Sequence, residues 1–117
     1  MRFAIAEKES NRIIGTIFLG SFEGKRAEIG YELSEDYWKK GIMSEAMKEV
    51  INIGFNQLAL TRIQAFFCEE NIASKNILEK FGFNEEGFLR QYEYHEVNRE
   101  CKDMYIYSLL KGEFSYE

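Results

Sequence analysis

The chain has 117 residues, of which 45% are apolar, and its 20 acidic and 15 basic side chains give a formal net charge of −5. This length fits one compact domain over residues 1–117, and the apolar content is too high for a disordered chain. The negative charge repels phosphate backbones, so we expect no nucleic-acid partner, and no apolar run approaches the roughly 20 residues that a membrane span needs.

Three strand-like segments open the chain, at Phe3–Ala6, Ile13–Leu19 and Ala27–Leu33. The second is a nearly continuous apolar run, as in a strand covered on both faces. The third alternates apolar and polar residues, which predicts a half-buried strand. The segments between them, Lys8–Asn11 and Ser21–Lys25, have the polar composition of hairpin turns.

The spacing of apolar residues then changes to three and four, which predicts an amphipathic helix of about four turns from Met43 to Leu58. Arg62–Cys68 follows as a strand. We expect Asn71 to cap a second helix, and Gly82 lies where a left-handed residue would end it.

Two further strands, about Phe83–His95 and Lys102–Leu110, are joined by a turn at Val97–Glu100. The predicted order is therefore β-β-β-α-β-α-β-β. Because β-α-β units give parallel neighbours and hairpins give antiparallel ones, we expect an α+β fold. Its sheet would be mixed and mostly antiparallel, with the helices packed on it.

The turn before the first helix has the features of an anion site. Gly41 precedes the helix, where free amides and the positive end of the helix dipole attract anions. Lys39 and Lys40 add positive charge, so a pyrophosphate would fit this turn. The alternative is an ordinary glycine turn with a solvated lysine pair, which is common.

Five motifs then occur in a recognisable order. They are Glu28–Ser34 with Tyr37–Gly41 and 44–46, then Asn71–Ser74, Leu78–Phe83, Glu86–Arg90 and Tyr107–Lys111. Together they resemble the GNAT superfamily of N-acetyltransferases over essentially the whole chain. Within it they resemble the RimJ/RimL-like branch, the ribosomal-protein-alanine N-acetyltransferases.

The resemblance implies acetyl-CoA as co-substrate and no metal. The end of the third strand would lie beside the pantetheine arm, the amides of the glycine turn would cradle the pyrophosphate, and the second helix would contact the arm near its thiol. The implied contacts are Tyr31, Glu32, Leu33, Lys39, Lys40, Gly41, Ile42, Met43, Ser44, Asn71, Lys75 and Asn76.

Ser74 and Glu93 are the implied catalytic residues. An amine is mostly protonated at pH 7, so a carboxylate must take its proton before it attacks the thioester. The resemblance gives Glu93 this role and makes Ser74 the donor to the leaving thiolate, although Ser74 could instead only hydrogen-bond the sulfur. Glu32, Glu85 and Glu86 are alternative bases.

Cys68 and Cys101 form no metal-ligand spacing, and the lone histidine adds none. Free thiols in a chain without a signal sequence indicate the reducing cytosol.

Members of the resembled family open with a strand and two helices ahead of the strand that begins here. We therefore expect an incomplete acceptor pocket, an uncovered sheet edge, and association into a homodimer or higher homo-oligomer. The acceptor would be a primary amine, on a protein N-terminus or a small molecule. The alternatives are a catalytically impaired acyl-CoA-binding module and a structural or interaction remnant of the fold.

Overall fold

The computed structural model describes residues 1–38 and 40–115. Its six strands are β1 (Arg2–Ala6), β2 (Ile13–Glu23), β3 (Arg26–Leu33), β4 (Arg62–Cys68), β5 (Asn84–His95) and β6 (Glu100–Leu110). The α-helices are α1 (Ile42–Asn52) and α2 (Ile72–Lys80), and short 3-10 helices occupy Glu35–Tyr37 and Lys111–Glu113. The predicted order of strands and α-helices is confirmed. None of the helices in the described ranges is long and apolar enough to cross a bilayer.

All six strands form one sheet in the order β1-β2-β3-β4-β6-β5. Every neighbouring pair is antiparallel except β3 and β4, so the expected mixed, mostly antiparallel sheet is confirmed. The parallel pairing is short, because within the described strands it joins only Arg26–Glu28 to Arg62–Gln64. Beyond it, Ile29–Leu33 and Ala65–Cys68 are not paired with each other, and we call this unpaired region between β3 and β4 the splay.

Both α-helices pack on one face of the sheet, the helix face. Met47 and Ile51 of α1 and Leu78 of α2 are completely buried in a single apolar core. Burial of each such side chain stabilises the fold by about 2 kcal/mol. The strand residues in this core all point to the helix face: Ile17, Leu19, Ala27, Ile29, Ile63, Ala65, Phe67, Tyr107 and Leu109.

The opposite side, the open face, is not covered by a helix within the described residues. Strand register places Glu28 beside Gln64, and Gln64 beside Ser108, on this face. Tyr92 stacks on Phe66 with their ring centroids 5.5 Å apart. The open face therefore combines polar groups with aromatic surface.

The ends of α2 follow the sequence closely. The Asn71 side chain accepts a hydrogen bond from the Ser74 amide at 3.1 Å, so the predicted cap is confirmed. Gly82 has φ of 86°, and the amides of Gly82 and Phe83 donate to the carbonyls of Glu79 and Leu78. These two bonds form a Schellman motif, which is the predicted glycine ending.

The end of the first helix differs from the prediction. α1 stops at Asn52, and Ile53–Gln57 continue as a π-helical turn in which the Leu58 amide donates to the Ile53 carbonyl. At Gly54 a Cβ atom would lie 2.9 Å from Cδ1 of Ile63. The chain therefore passes close to β4 here, and the apolar spacing alone cannot distinguish this wider turn from α-helix.

The hairpin between β2 and β3 is also longer than predicted. β2 continues through a bulge to Glu23, so the prediction of a turn from Ser21 was wrong. Both strands are exposed at this end, where burial imposes no alternating pattern that the sequence could reveal. Glu100, similarly, begins β6 and does not belong to the turn.

Candidate functional site

A cavity of about 550 Å³ opens between the end of β3, the start of α1 and one side of α2. It contains most of the predicted cofactor contacts, namely Tyr31, Glu32, Leu33, Gly41, Ile42, Met43, Ser44, Asn71 and Asn76, together with Ser74. Sequence reasoning missed its other lining residues, which are Tyr37, Trp38, Ala73, Ile77 and Lys80.

The glycine turn predicted to bind an anion lies at one end of this cavity. Gly41 is the N-cap residue of α1, with φ of 75°. Because glycine has no side chain, it provides no side-chain hydrogen bond to the first helix amides. The first intrahelical bond runs from the Glu45 amide to the Gly41 carbonyl, so the amides of Ile42, Met43 and Ser44 precede it. Among the described residues, apart from the chain neighbours of Gly41, no atom lies within 4 Å of a Cβ built on Gly41, which leaves a ligand room to approach the backbone.

The lysines of the site are arranged differently from the expectation. Lys80 of α2 lines the cavity, and its Nζ lies 3.1 Å from the Ser44 hydroxyl, so it is a cation that sequence reasoning missed. Its only sequence signal is its place in the last turn of α2. Lys40 instead lies over the Tyr37 ring, 5.3 Å from its centroid. Lys75 is exposed outside the cavity lining.

Lys39 lies outside the described residues.

Ser74 and Tyr31 meet at the inner end of the cavity. Ser74 is 8% exposed. Burial raises the pKa of the Tyr31 phenol, and a hydrogen bond with Ser74 partly offsets this rise. The structure therefore joins the predicted catalytic serine to a second hydroxyl.

The strand edge beside the cavity is partly occupied already. The Trp38 indole donates to the Leu33 carbonyl at 2.8 Å, so this carbonyl has a partner within the chain. Between Tyr31 and Leu33 the chain borders the splay, where no strand within the described ranges pairs with the β3 backbone on the β4 side. Backbone groups at this edge can therefore pair with a ligand that enters the splay.

Glu93 lies on the open face and does not line the cavity. Its neighbours include the His95 ring, whose Nε2 is 3.6 Å from the Glu93 carboxylate, and its side chain is 55% exposed. A bulge between Leu89 and Glu93 sets its position, and Gln91 within this bulge has φ of 49°. The two predicted catalytic residues thus lie on opposite faces of the sheet.

Glu28 is a second carboxylate on the open face that sequence reasoning missed. Burial raises its pKa, and the negative charge of Glu93 raises it further. It is the last residue of β3 that pairs with β4, so it lies at the base of the splay. Alternation along β3 placed Glu28 opposite the core, but nothing in the sequence showed that β5 would bring Glu93 near it.

The three alternative bases, Glu32, Glu85 and Glu86, lie in surroundings different from those of Glu93. Glu86 accepts from two Arg62 nitrogens at 2.8 and 2.9 Å and from the Ser108 hydroxyl, which lowers the pKa of its carboxyl to about 2. Such a carboxylate is too weak a base to take a proton near neutral pH. Glu85 is exposed beside Tyr107, whereas Glu32 lines the cavity.

Known proteins are similar to this chain in sequence and in fold. The model of the acetyltransferase (GNAT) domain matches residues 1–84. An uncharacterised N-acetyltransferase of Bacillus licheniformis, p20, is 41% identical over 97% of this chain and 64% of its own length. The chain thus spans a little less than two thirds of this curated relative.

Two solved structures extend the likeness to three dimensions. Ribosomal-protein-S5-alanine acetyltransferase from Vibrio fischeri is 28% identical with a TM-score of 0.90, covering 97% of this chain and 63% of that one. RimJ of Mycobacterium smegmatis, solved in complex with CoA-disulfide, is 28% identical with a TM-score of 0.81, covering 88% and 50%. On these grounds, this chain belongs to the GNAT acetyltransferase domain family.

Proposed function

We propose that residues 1–117 form one acetyl-CoA-binding domain of an N-acetyltransferase, which transfers acetyl to a primary amine by direct attack. The observation that carries the proposal is the splay, with an amide-lined cavity on one side and two carboxylates on the other. A thioester entering from the cavity could meet an amine arriving from the open face. Family membership supports acetyl transfer, and the acceptor and the residue roles are our proposals.

The diphosphate of the donor would bind the amides of Ile42, Met43 and Ser44, with Lys80 beside them. The pantetheine arm would run along Tyr31–Leu33 as an added strand and pair with backbone groups that β4 does not reach. Asn71 and Asn76 line the same path on α2. Lys40 and Lys75, which do not line the cavity, would add positive charge around the phosphates. Lys39, outside the described residues, would add a further charge in this part of the sequence.

Glu93 would take a proton from the acceptor amine, directly or through water. Its exposure leaves it accessible to an amine from the open face. Glu28, at the base of the splay, would take the same role if an amine reached further in. The amine nitrogen would then form a bond to the thioester carbon, whose carbonyl oxygen becomes an oxyanion. When this intermediate collapses, the carbon–sulfur bond breaks, its electron pair leaves with the thiolate, and the second proton of the nitrogen passes to solvent.

The leaving thiolate would be protonated on the cavity side. Ser74 is a weak acid by itself, but its hydrogen bond with Tyr31 gives the pair two hydroxyl protons near the expected thiol position. Backbone amides around Phe67 and Cys68, on the other edge of the splay, would stabilise the oxyanion.

Two measurements test the proposal. Calorimetric titration should show acetyl-CoA binding, and a thiol-release assay should show turnover with amines such as an alanine-initiated peptide and spermidine. Binding without turnover across the panel would identify an acyl-CoA-binding module. If acetyl-CoA gave no heat of binding and no thermal shift, only a structural role would be left and the proposal would be overturned.

We further propose a homodimer in the cytosol. β1 forms an edge of the sheet, and the open face carries Phe66 and Tyr92 without a helix over them in the described residues. Both cysteines are free thiols, as is typical of a reducing compartment. Sedimentation at low micromolar concentration should give a dimer, and a stable monomer would contradict this part.

A further inference from the structure

Three possible metal ligands converge on the open face. Single ligand atoms of Cys68, Glu93 and His95 all lie within 4.8 Å of one another. Cys68 is the last residue of β4, whereas Glu93 and His95 alternate on β5. No short sequence spacing connects them, because Glu93 lies 25 positions after Cys68 along the chain.

Strand register explains the convergence. Cys68 pairs with Met104 on β6, while Glu93 and His95 pair with Lys102 and Glu100 on the same strand. Residues 100, 102 and 104 alternate along β6, so all three ligands project from one face of the sheet.

The bulge in β5 completes the arrangement. Four residues of β5 advance from Leu89 to Glu93 while β6 advances only two, from Met104 to Lys102. The Gln91 amide fixes the bulge by donating to the Asp103 carboxylate at 2.7 Å. Bulges often aim side chains at sites of this kind.

The donor atoms define the class of ion. A thiolate, an imidazole nitrogen and a carboxylate oxygen form a typical ligand set for Zn²⁺, whereas Mg²⁺ and Ca²⁺ prefer oxygen alone. In a tetrahedral zinc site the ligand atoms would lie about 3.5 Å apart, so side chains must close by roughly 1 Å. Glu93 is half exposed and His95 partly so, which allows this movement.

The surrounding charge favours a cation. The nearby Lys102 ammonium is already shared between Glu70 at 3.0 Å and Glu100 at 2.9 Å. Glu28 adds further negative charge, since its carboxyl is close enough to Glu93 for the two to repel. Met104 places its sulfur 3.4 Å from the Cys68 sulfur, which adds polarisable surroundings.

We propose that Cys68, Glu93 and His95 bind a thiophilic divalent cation of the zinc class on the open face, and that bound metal withholds Glu93 from proton transfer. The second half rests on the proposed function. Three protein ligands leave a fourth position for water. To bind as a thiolate, Cys68 must release its proton to solvent.

Spectroscopy with cobalt and calorimetry with zinc test the site itself. In the chelator-treated full chain, Co²⁺ should give a thiolate-to-cobalt charge-transfer band, and Zn²⁺ should displace it. Cys68→Ser should abolish the band. His95→Ala should weaken zinc binding at least about tenfold, because losing even a hydrogen-bond partner of a metal ligand can reduce metal affinity by that much. Cys101→Ser is the matched control. Cys101 pairs with Tyr94, and both side chains lie on the face of the sheet opposite to Glu93 and His95.

The site is absent if excess Co²⁺ gives no thiolate band, or if Cys68→Ser binds zinc like the parent chain. Both readouts are independent of catalysis, so they hold or fail separately from the proposed function. In the thiol-release assay, zinc should inhibit turnover, and Cys68→Ser should lose this sensitivity relative to its own metal-free rate. If the zinc-bound chain kept its full turnover, the proposal that bound metal withholds Glu93 from proton transfer would be overturned.

Discussion

On the cavity side of the splay we expect backbone groups to hold the donor, whereas the candidate reactive groups of the open face are side chains. In the cavity, the proposed binding groups are the first amides of α1, which follow the Gly41 turn, and the edge of β3 beyond its pairing with β4. On the open face, Glu28, Glu93 and His95 come together through register and one bulge. Donor binding should therefore tolerate most side-chain changes, whereas turnover should depend on single carboxylates.

The largest effect should come from the open face. Glu93→Gln keeps the shape of the side chain but removes the proton acceptor, so kcat/KM should fall by about 10² to 10⁴. The dissociation constant for acetyl-CoA should not change, because Glu93 is not part of the cavity. Steady-state kinetics and calorimetry measure the two quantities.

Glu96→Gln, in the exposed turn after β5, is the control and should retain full turnover. Full turnover in Glu93→Gln would exclude Glu93 as the base and direct attention to Glu28.

On the cavity side, only the turn glycine should matter strongly. Gly41→Val forces a β-branched residue to φ of 75°, which costs about 1 to 3 kcal/mol and shifts the amides of Ile42 and Met43. Calorimetry should show acetyl-CoA binding weakened at least about tenfold. Gly24→Val imposes similar strain at φ of 58° in the β2–β3 turn, far from the cavity lining.

Both variants should lose comparable thermal stability, and only Gly41→Val should lose binding. If Gly24→Val weakened acetyl-CoA binding equally, the effect would come from the fold and not from the amide turn.

The contrast between the two sides also explains what the sequence could predict. Helix starts, caps and glycine endings depend on local residues, so the Asn71 cap, the Gly82 ending and the position of the Gly41 turn were predictable. The element order followed from periodicity. The amide-lined cavity could therefore be assigned from a short stretch of chain.

The open face could not be predicted in this way, because its contacts depend on pairing between distant strands. The bulge at Gln91 adds residues to β5 without any glycine or proline to signal it. The nearness of Glu28 to Glu93, and of Cys68 to His95, depends on this register. Lys80 was missed for a similar reason, because its contact with Ser44 joins two separate helices.

A smaller effect is expected where the two sides meet, at Ser74. Removing its hydroxyl in Ser74→Ala should lower kcat about tenfold, since the leaving thiolate loses a donor. Tyr31→Phe should have a similar effect. Because the two hydroxyls are hydrogen-bonded to each other, the double variant should lose less activity than the product of the single losses. Strictly multiplicative losses would contradict a shared role.

The smallest effect is expected away from the splay, where a carboxylate of the open face stabilises the fold. Glu86→Gln removes the partner of Arg62 and Ser108, and it should cost up to about 1 kcal/mol at pH 7, because the Glu86 side chain is 42% exposed and screened. The pKa of Glu86 is lowered from 4.5 to about 2 in the folded chain. The contribution is therefore complete above pH 4.5 and is lost as the pH falls towards 2.

Urea unfolding of both chains across this pH range should show a gap in stability that closes in acid. Arg62→Gln provides a matched variant, since it removes the same ion pair from the other partner. The double variant should then be about as stable as either single one, because each change removes the same interaction. A gap that widened in acid would mean that the Glu86 carboxyl binds its proton more tightly in the folded chain. In that case Glu86 would resemble Glu28, whose pKa is raised by burial. The open face would then no longer divide into a structural end at Glu86 and a reactive end at Glu28 and Glu93.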